Sequence, residues 1–576
     1  MEDNPPHVQL RSHCGACGRA FVARQRIGAL LGSHGAPRCR YIDAALFPPN
    51  YFCHQGNANV IFCRTVNCEL CAESAETATI HVDCFVLFMK RCTAPNRLQR
   101  LWVASTWRDP WPKAPLSILN PVAHRWDCIE EIPKTYNLPG FQTLPPELQL
   151  MIWNYSRPPL LERYCSVAAL ADFLSDSQPT RLTTLPLIEL QQWTRGSDPI
   201  SANAPLAEGS TIHLTIDAQG LKEISRTPPQ ASMANSRRGE TSYAIATPEQ
   251  CVGVEAEFRY GLGRLRFSDN SPPLTIWDTP TPPSLERSLL FPVSSDSTRF
   301  STANLRRCTG ITFFIRYCST VGVHVHTPQA PCALISAARL SANPRRPAWV
   351  YVPVSPKDPI LAFGIRSDDL RGYGVARRPC FLLRMLRSGD LAVGPHHTGI
   401  TEDFVSLIGP SSILVHDSPK WCLFSVFGID PREDADFEIK PFAPLTSAPI
   451  NHACFSSAPL QSIASTQAFY DRDTKVHRGI LITYQDGTRR ALGQCRVGLD
   501  PFRHCATPSR VCFTLPDPAQ RRIRLHQEFG VKFEFGTDVE HTHDGTDNLE
   551  WICSPMEGVL QFWFSGRDTR LEIVHP

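Results

Sequence analysis

The sequence has no apolar run of 18 or more residues, so no stretch of it is long enough to cross a membrane as a helix. It has no excess of either charge: 58 Lys and Arg stand against 55 Asp and Glu, a formal net charge of +3. A protein that holds nucleic acid through its phosphates carries a clear basic excess or patch, and none is visible here. The opening residues, MEDNPPHVQL, lack the basic start and apolar centre of a secretory leader. The expectation is an intracellular protein, cytoplasmic or nuclear, with no membrane or nucleic-acid partner. Catalytic signatures are missing too: there is no Gly-x-Ser-x-Gly elbow, no Walker-type phosphate loop and no His-Glu-x2-His pair. Gly261-Leu262-Gly263 runs on into Arg264-Leu265-Arg266 instead of opening a helix, so it fails as a dinucleotide loop. These absences point away from an enzyme and towards a binding protein.

Cysteine and proline are abundant. Without export, 22 cysteines read as metal ligands or small buried hydrophobes, not as disulfides. Nine of them fall between Cys14 and Cys92. Within that window stand Cys14-x2-Cys17, Cys68-x2-Cys71 and His81-x2-Cys84. Zinc takes four thiolate or imidazole ligands at the corners of a tetrahedron, and two cysteines separated by two residues form a knuckle that aims both thiolates at one ion. The simplest arrangement is one site from Cys68, Cys71, His81 and Cys84, and a second from Cys14 and Cys17 with two of Cys39, Cys53 and Cys63. A crossed arrangement, pairing Cys14 and Cys17 with either later pair, is equally open. One or two ions are expected. Four protein ligands leave no place for an activated water, so such zinc is structural. Proline makes up 51 of 576 residues, about twice the ~5% norm, which suits many short elements joined by stiff loops.

The segment at about 101–140, from LWVASTWRDPW through VAHRWDCIEEIP, is rich in Trp and Pro and is expected to pack back on the cysteine-rich module. Residues 141–175 form the best helical stretch. Leu148, Met151, Ile152 and Tyr155 fall at helical spacing behind a Pro pair that suits a first turn, and Tyr164, Val167, Ala168 and Phe173 continue the pattern. Leu144-Pro145-Pro146-Glu147-Leu148 resembles the opening of the F-box motif, with Leu160-Leu161 and Tyr164-Cys165 as a faint echo of its later part. That resemblance implies docking of an apolar helical face in a groove of the adaptor subunit of an SCF-type ubiquitin ligase. Carried over by position, Leu144, Pro145, Leu148 and Ile152 would face the adaptor.

From about 205 the period changes to two, as in STIHLTIDAQG, where Ile212, Leu214 and Ile216 share a face. Further short strands follow, among them VGVEAEFRYG, GITFFIRYC, AWVYVPV, GILITYQDG, VCFTLPD and VLQFWFSG, bounded by Gly, Pro, Asp and Ser. Such spacing indicates a mostly antiparallel region, sandwich or prism-like, of one domain or two. Ser/Pro-rich breaks lie at 225–242, 270–300 and 440–460. Gly310 and Gly479 each open a strand with Gly-Ile, a weak internal echo. Asp486-Gly487 between apolar runs is a hairpin signal, and GILITYQDGTRRALGQC is loosely similar to a strand–turn–strand of jacalin-like lectins. His541-x-His543 lies in a polar loop without a third ligand nearby and is expected to be solvated. His324 and His326 are expected as half-buried polar positions on one strand face.

Taken together, HVDCFVLF (81–88), LWVASTWRDPW (101–111), LPPELQLMIW (144–153), the 479–500 segment and VLQFWFSG (559–566) resemble a group of filamentous-fungal F-box-like proteins. Those proteins share a cysteine-rich N-terminus and a β-rich C-terminal half. The expected architecture is a multidomain α+β chain: a zinc-stabilised module at 1–135, an F-box-like helical segment at 140–175 and a β-rich region at 205–576. That group carries no activity over to this chain; it is the F-box-like helix that implies a non-enzymatic adaptor, a substrate receptor whose β region binds a protein target. The alternatives are a carbohydrate- or ligand-binding β domain on a zinc-stabilised scaffold, and a ligase using the zinc module as a RING-like platform. The gap of about 50 residues between Cys17 and Cys68 weighs against the last.

Overall fold

The computed structural model describes residues 7–575 except 33–38, 49–53, 56–59, 66–67, 73, 113, 115–138, 156–157, 179–180, 205, 208, 228–240, 270, 272–273, 286–287, 293–298, 317–318, 329, 340–346, 369–379, 395–400, 410–411, 418–425, 431–440, 443–452, 473–474, 515–530, 539, 544–549 and 565–568. The chain is β-rich and divides into two compact units, 1–280 and 281–576. Strands between 212 and 277, which the alternating pattern groups with the C-terminal region, cluster with the cysteine-rich segment instead. Among the described residues no helix is long and apolar enough to cross a membrane.

The first unit opens with β1 (His7–Gln9), β2 (Arg26–Gly32), β3 (Arg40–Leu46), β4 (His54–Gln55) and β5 (Ile61–Cys63). Then come α1 (Glu69–Ala72), β6 (Glu76–His81), α2 (Val82–Arg91) and α3 (Arg97–Thr106). β2 lies between β3 and β6, and β5 lies between β1 and β4. From Ile27 to Gly32, β2 is an unbroken small and apolar run and is buried throughout, as a central strand covered on both faces should be. Cys84 and Phe88, four apart on α2, point into the same core. Of the segment expected to pack on this module at about 101–140, Trp102 and Trp107 do so, Trp111 enters the core of the strands that follow, and 115–138 lie outside the described residues. The Trp102 indole donates to the Glu76 carbonyl at 3.0 Å.

Two helices follow, Pro146–Tyr155 and Pro158–Asp176. Val167, Leu170, Ala171 and Leu174 of the longer one join the core of the cysteine-rich module. The Arg91 guanidinium grips Asp172 through two bonds of 2.6 and 2.7 Å. Downstream, Ile212–Asp217 and Gly220–Ser225 form a hairpin between strands Thr241–Ala246 and Leu190–Thr194. Ile212, Leu214 and Ile216 enter the core together. The hairpin turn requires glycine at 220. Its φ is +104°, and a Cβ there would lie 2.2 Å from the Trp107 carbonyl oxygen. The turn thus rests directly on the module that carries the cysteines.

In each half of the second unit, early strands pair with strands that return late in the chain. In its first half, Leu289–Pro292 and Arg299–Asn304 pair with Val426–Asp430 and Ile413–Asp417, strands that return more than a hundred residues later. Between them the chain makes a three-stranded sheet centred on Gly310–Arg316 and a four-stranded sheet containing Ile360–Asp368 and Cys380–Met385. In the second half, Cys454–Pro459 pairs with Val559–Phe564, which pairs with Thr569–Val574. The enclosed sheets are a four-stranded one containing His477–Tyr484 and a three-stranded one centred on Arg510–Thr514. The Gly310 and Gly479 strands are therefore interior strands of the first enclosed sheet in each half. One hydrophobic core runs through both halves, from Phe313 and Phe381 to Phe513 and Phe562. The Asp486-Gly487 turn joins His477–Tyr484 to Arg489–Gly493, with Gly487 at φ +84°. The expected break at 440–460 contains strand Cys454–Pro459, and the one at 270–300 contains Leu289–Pro292.

Buried charges close the end of the four-stranded sheet. Arg496 binds Asp500 at 2.6 Å and Asp471 at 3.1 Å, and Arg478 binds Asp471 at 2.8 Å. All four side chains are at most 10% exposed. Removing one carboxylate leaves buried guanidinium charge short of a partner, so Asp500→Ala should cost roughly 3–5 kcal/mol. Urea denaturation of the full chain checks this; a loss below about 1 kcal/mol would mean the network carries little of the unit's stability.

Candidate metal centres

Three groups of cysteine and histidine come together, each with its four ligand atoms within 4.8 Å of one another. The first is Cys14, Cys17, His81 and Cys84, all four buried. Its construction is local and legible. Cys14 to Gly18 forms a tight knuckle in which the Gly18 N–H donates to the Cys14 carbonyl at 2.8 Å and Gly18 takes a φ of +74°. The Gly15 N–H donates to Thr79 of β6 at 2.8 Å, hanging the knuckle on that strand. β6 ends at His81, which is the N-cap of α2, and Cys84 lies in the first helical turn. Strand end and helix start thus deliver His81 and Cys84 to one point, facing the knuckle.

The spacing fits an ion. Zinc about 2.3 Å from sulfur and about 2.0–2.1 Å from nitrogen places tetrahedral ligand atoms roughly 3.5–3.8 Å apart. The Cys17 and Cys84 sulfurs stand 3.6 and 3.8 Å from His81 Nδ1. The outer nitrogen, His81 Nε2, lies 3.0 Å from the Gln25 side-chain oxygen, which also accepts from the Val22 N–H at 2.8 Å. With the imidazole donating from Nε2, the Nδ1 lone pair is left for a metal, the usual support of a ligating histidine. Three thiolates around a divalent cation leave one negative charge, and two arginines meet it. Arg163 donates from Nη2 to Cys84 Sγ at 3.4 Å and to Asp83 at 2.6 Å. Arg108 donates to the knuckle carbonyls of Gly15 and Ala16 and to Ala218. Burial alone would raise the Cys17 thiol. Hydrogen bonds with Cys14 and Cys84 and with the Arg19 backbone, together with the Arg163 charge, hold it well below its ordinary value. Hydrogen bonding with Cys14 and Cys17, reinforced by burial, raises Cys84. A cleft of about 950 Å³ opens beside this group, with His81, Asp83, Lys90, Arg163 and Tyr164 on its wall.

The second group is His7, Cys63, Cys68 and Cys71. His7 Nδ1 is 3.7 Å from both the Cys68 and the Cys71 sulfur. Parallel pairing of β1 with β5, His7 opposite Ile61 and Gln9 opposite Cys63, puts His7 and Cys63 on one face above the 68–71 knuckle. Burial raises Cys71, aided by its cysteine neighbours. The third group is Cys512, His541, His543 and Cys553, in the second unit.

The side chains are grouped as in the crossed arrangement, with Cys14 and Cys17 beside His81 and Cys84. Cys68 and Cys71 do not share a site with His81 and Cys84, because β6 carries His81 to the Cys14–Cys17 knuckle. Cys39 belongs to neither N-terminal cluster, and burial lifts its thiol to about 12. Cys53 lies outside the described residues. Sequence reasoning missed His7, whose partners are more than 50 residues away, and it set His541 and His543 in solvent. They face two cysteines instead. His324 is half-buried as expected and bonds Ser336 of the helix Leu334–Arg339 at 2.9 Å, whereas His326 is fully buried and bonds Thr312 of the neighbouring strand at 2.7 Å.

Of the four residues that the F-box resemblance would turn towards an adaptor, Leu148 and Ile152 are exposed on helix Pro146–Tyr155, Pro145 is exposed just ahead of it, and Leu144 is half-buried. No protein-family model matches the chain, and no curated protein sequence matches it.

The pairing yields a direct count. Cys14→Ser combined with Cys84→Ser should remove one ion from the full chain, because both belong to one site, whereas Cys71→Ser with Cys84→Ser should remove two. Native mass spectrometry reads the difference, and equal losses would refute the crossed pairing. Gln25→Ala keeps every ligand and should weaken the Cys14 site by about 10–100-fold in competition with a chromophoric chelator.

Proposed function

We propose that the protein is a non-enzymatic adaptor, an F-box-type substrate receptor of an SCF ubiquitin ligase. Helix Pro146–Tyr155 docks the ligase's adaptor subunit, and the β region binds a protein target. The metal held by the N-terminal clusters is zinc, with a structural role. The observation that carries the reading is an apolar stripe left in solvent: Leu148 is 43%, Met151 51% and Ile152 42% exposed. Residues three and four apart share one helix face, and a face of this kind laid in a groove is a common recognition mode. Each such side chain contributes about 1.5–3 kcal/mol on full burial. The start of the helix is held by the Gln149 amide, which donates to the Leu144 carbonyl at 2.9 Å and the Phe141 carbonyl at 3.2 Å. Behind it, helix Pro158–Asp176 is anchored on the zinc module by Arg163 and Asp172. The small antiparallel sheets around one core in the second unit suit a prism-like domain that presents its loops to a target.

The test is Leu148→Ala with Ile152→Ala in the full chain. Pull-down of the adaptor subunit should weaken by at least about 100-fold, at about 1.4 kcal/mol per tenfold, with metal content and circular dichroism unchanged. Undiminished capture by a folded double variant would end the docking assignment. A second reading, the zinc module as a RING-like platform, is favoured by one observation. The two ligand sets alternate along the chain: His7, then Cys14 and Cys17, then Cys63 to Cys71, then His81 and Cys84. Interleaving ties both ions into one rigid surface. Autoubiquitination by the full chain, lost with Cys17→Ser but kept with Leu148→Ala and Ile152→Ala, would favour it.

A further inference from the structure

The three-stranded sheet near the C-terminus carries a row of chemistry on one face. Its central strand, Arg510–Thr514, lies between Phe533–Gly536 and Trp551–Pro555. In register, Cys512 stands opposite Glu534 on one side and opposite Cys553 on the other. Residues directly opposite in neighbouring strands point to the same face, so a carboxylate and two thiols sit side by side. After Gly536 the chain folds back over that face and lays His541 and His543 upon it. His541 Nε2 is 3.5 Å from the Cys512 sulfur and 3.3 Å from that of Cys553, and His543 Nε2 is 3.2 Å from Cys553.

We propose that Cys512, His541, His543 and Cys553 form a third zinc site, open to solvent, that clasps the segment carrying His541 and His543 onto the C-terminal sheet. Two thiolates and two imidazoles are a complete tetrahedral set for zinc, and the three sulfur–nitrogen distances above lie within a few tenths of an ångström of the spacing it requires. The surroundings support a metal beyond the ligands themselves. The outer nitrogen of His543, Nδ1, faces the Glu534 carboxylate at 3.5 Å, the carboxylate–histidine pairing that orients a ligating ring. Trp551 stacks on the same imidazole at 4.0 Å, nearly parallel, and fixes its plane. Arg510 donates to Cys512 Sγ at 3.7 Å and to the Asp538 carbonyl at 2.6 Å, tying the returning segment to the strand beneath it. Two thiolates neutralise the divalent ion, so this centre needs less outside charge than the three-thiolate ones. It differs from the Cys14 cluster in access. All four ligands there are buried, whereas Cys553 is exposed. A chelator reaches the third site without opening the core, so it exchanges first.

This inference stands apart from the N-terminal sites and is tested separately from them. Native mass spectrometry of the full chain should count three zinc ions. Cys553→Ser with His543→Asn should lower the count to two, and the N-terminal double variant Cys14→Ser with Cys84→Ser should still hold the third. In the wild-type chain, iodoacetamide should leave Cys553 unmodified while zinc is bound and label it once limiting chelator has removed the first equivalent. Three ions retained in the Cys553/His543 variant, or rapid alkylation of Cys553 in the zinc-replete wild-type chain, would overturn the proposal. The alkylation arm decides the matter even if the double variant does not fold.

Discussion

Three thiols and an imidazole buried within 4.8 Å of one another make a poor hydrophobic core. Each polar atom has left water, and mutual hydrogen bonds among thiols return little of that cost. A divalent cation converts the same arrangement into the strongest local interaction in the first unit. Much else there is placed by it. The Cys14 knuckle hangs on β6, β6 ends on a ligand, α2 begins on another, and Arg108 reaches through the knuckle to the turn of a hairpin about a hundred residues on. The long helix contributes Arg163 to the outer shell of the same centre. On the zinc reading proposed above, metal binding and folding of this unit are one equilibrium, because the unfolded chain brings none of these ligands together.

The interleaved order of the two N-terminal ligand sets gives that coupling a direction. Closing the Cys14–Cys84 site loops out the segment that carries Cys63, Cys68 and Cys71, and closing the second site brings β1 alongside β5. Either ion shortens the loop the other must close, which lowers the entropic cost of the second. The exposed stripe on helix Pro146–Tyr155 sits on this frame through its neighbour, helix Pro158–Asp176, so a rigid metal-held base presents the surface assigned to the adaptor subunit.

Much of this was legible in the residues. Cys14-x2-Cys17, Cys68-x2-Cys71 and His81-x2-Cys84 announce ligands because a knuckle is a local structure, and spacing fixes it. Which pairs share an ion depends on where β6 and α2 run, and no spacing encodes that. His7 and the Cys512–Cys553 pair were invisible for the same reason: their partners are supplied by strand register across tens of residues. The period-two stretches after 205 marked strands correctly as strands. The boundary between the units at 280 was hidden, since strands such as Ile212–Asp217 and Gly310–Arg316 carry the same alternating or apolar pattern whichever core they enter.

Zinc-edge X-ray absorption on the full chain tests the central claim most directly, because it reads the ligand atoms themselves. Three sites built from the residues described supply eight sulfurs and four nitrogens. The account predicts a four-coordinate shell dominated by sulfur at about 2.3 Å, with imidazole nitrogen at about 2.0–2.1 Å in roughly a two-to-one ratio. A shell of oxygen and nitrogen without sulfur, or a folded chain that binds no zinc, would contradict it and return the cysteine clusters to the status of ordinary packing.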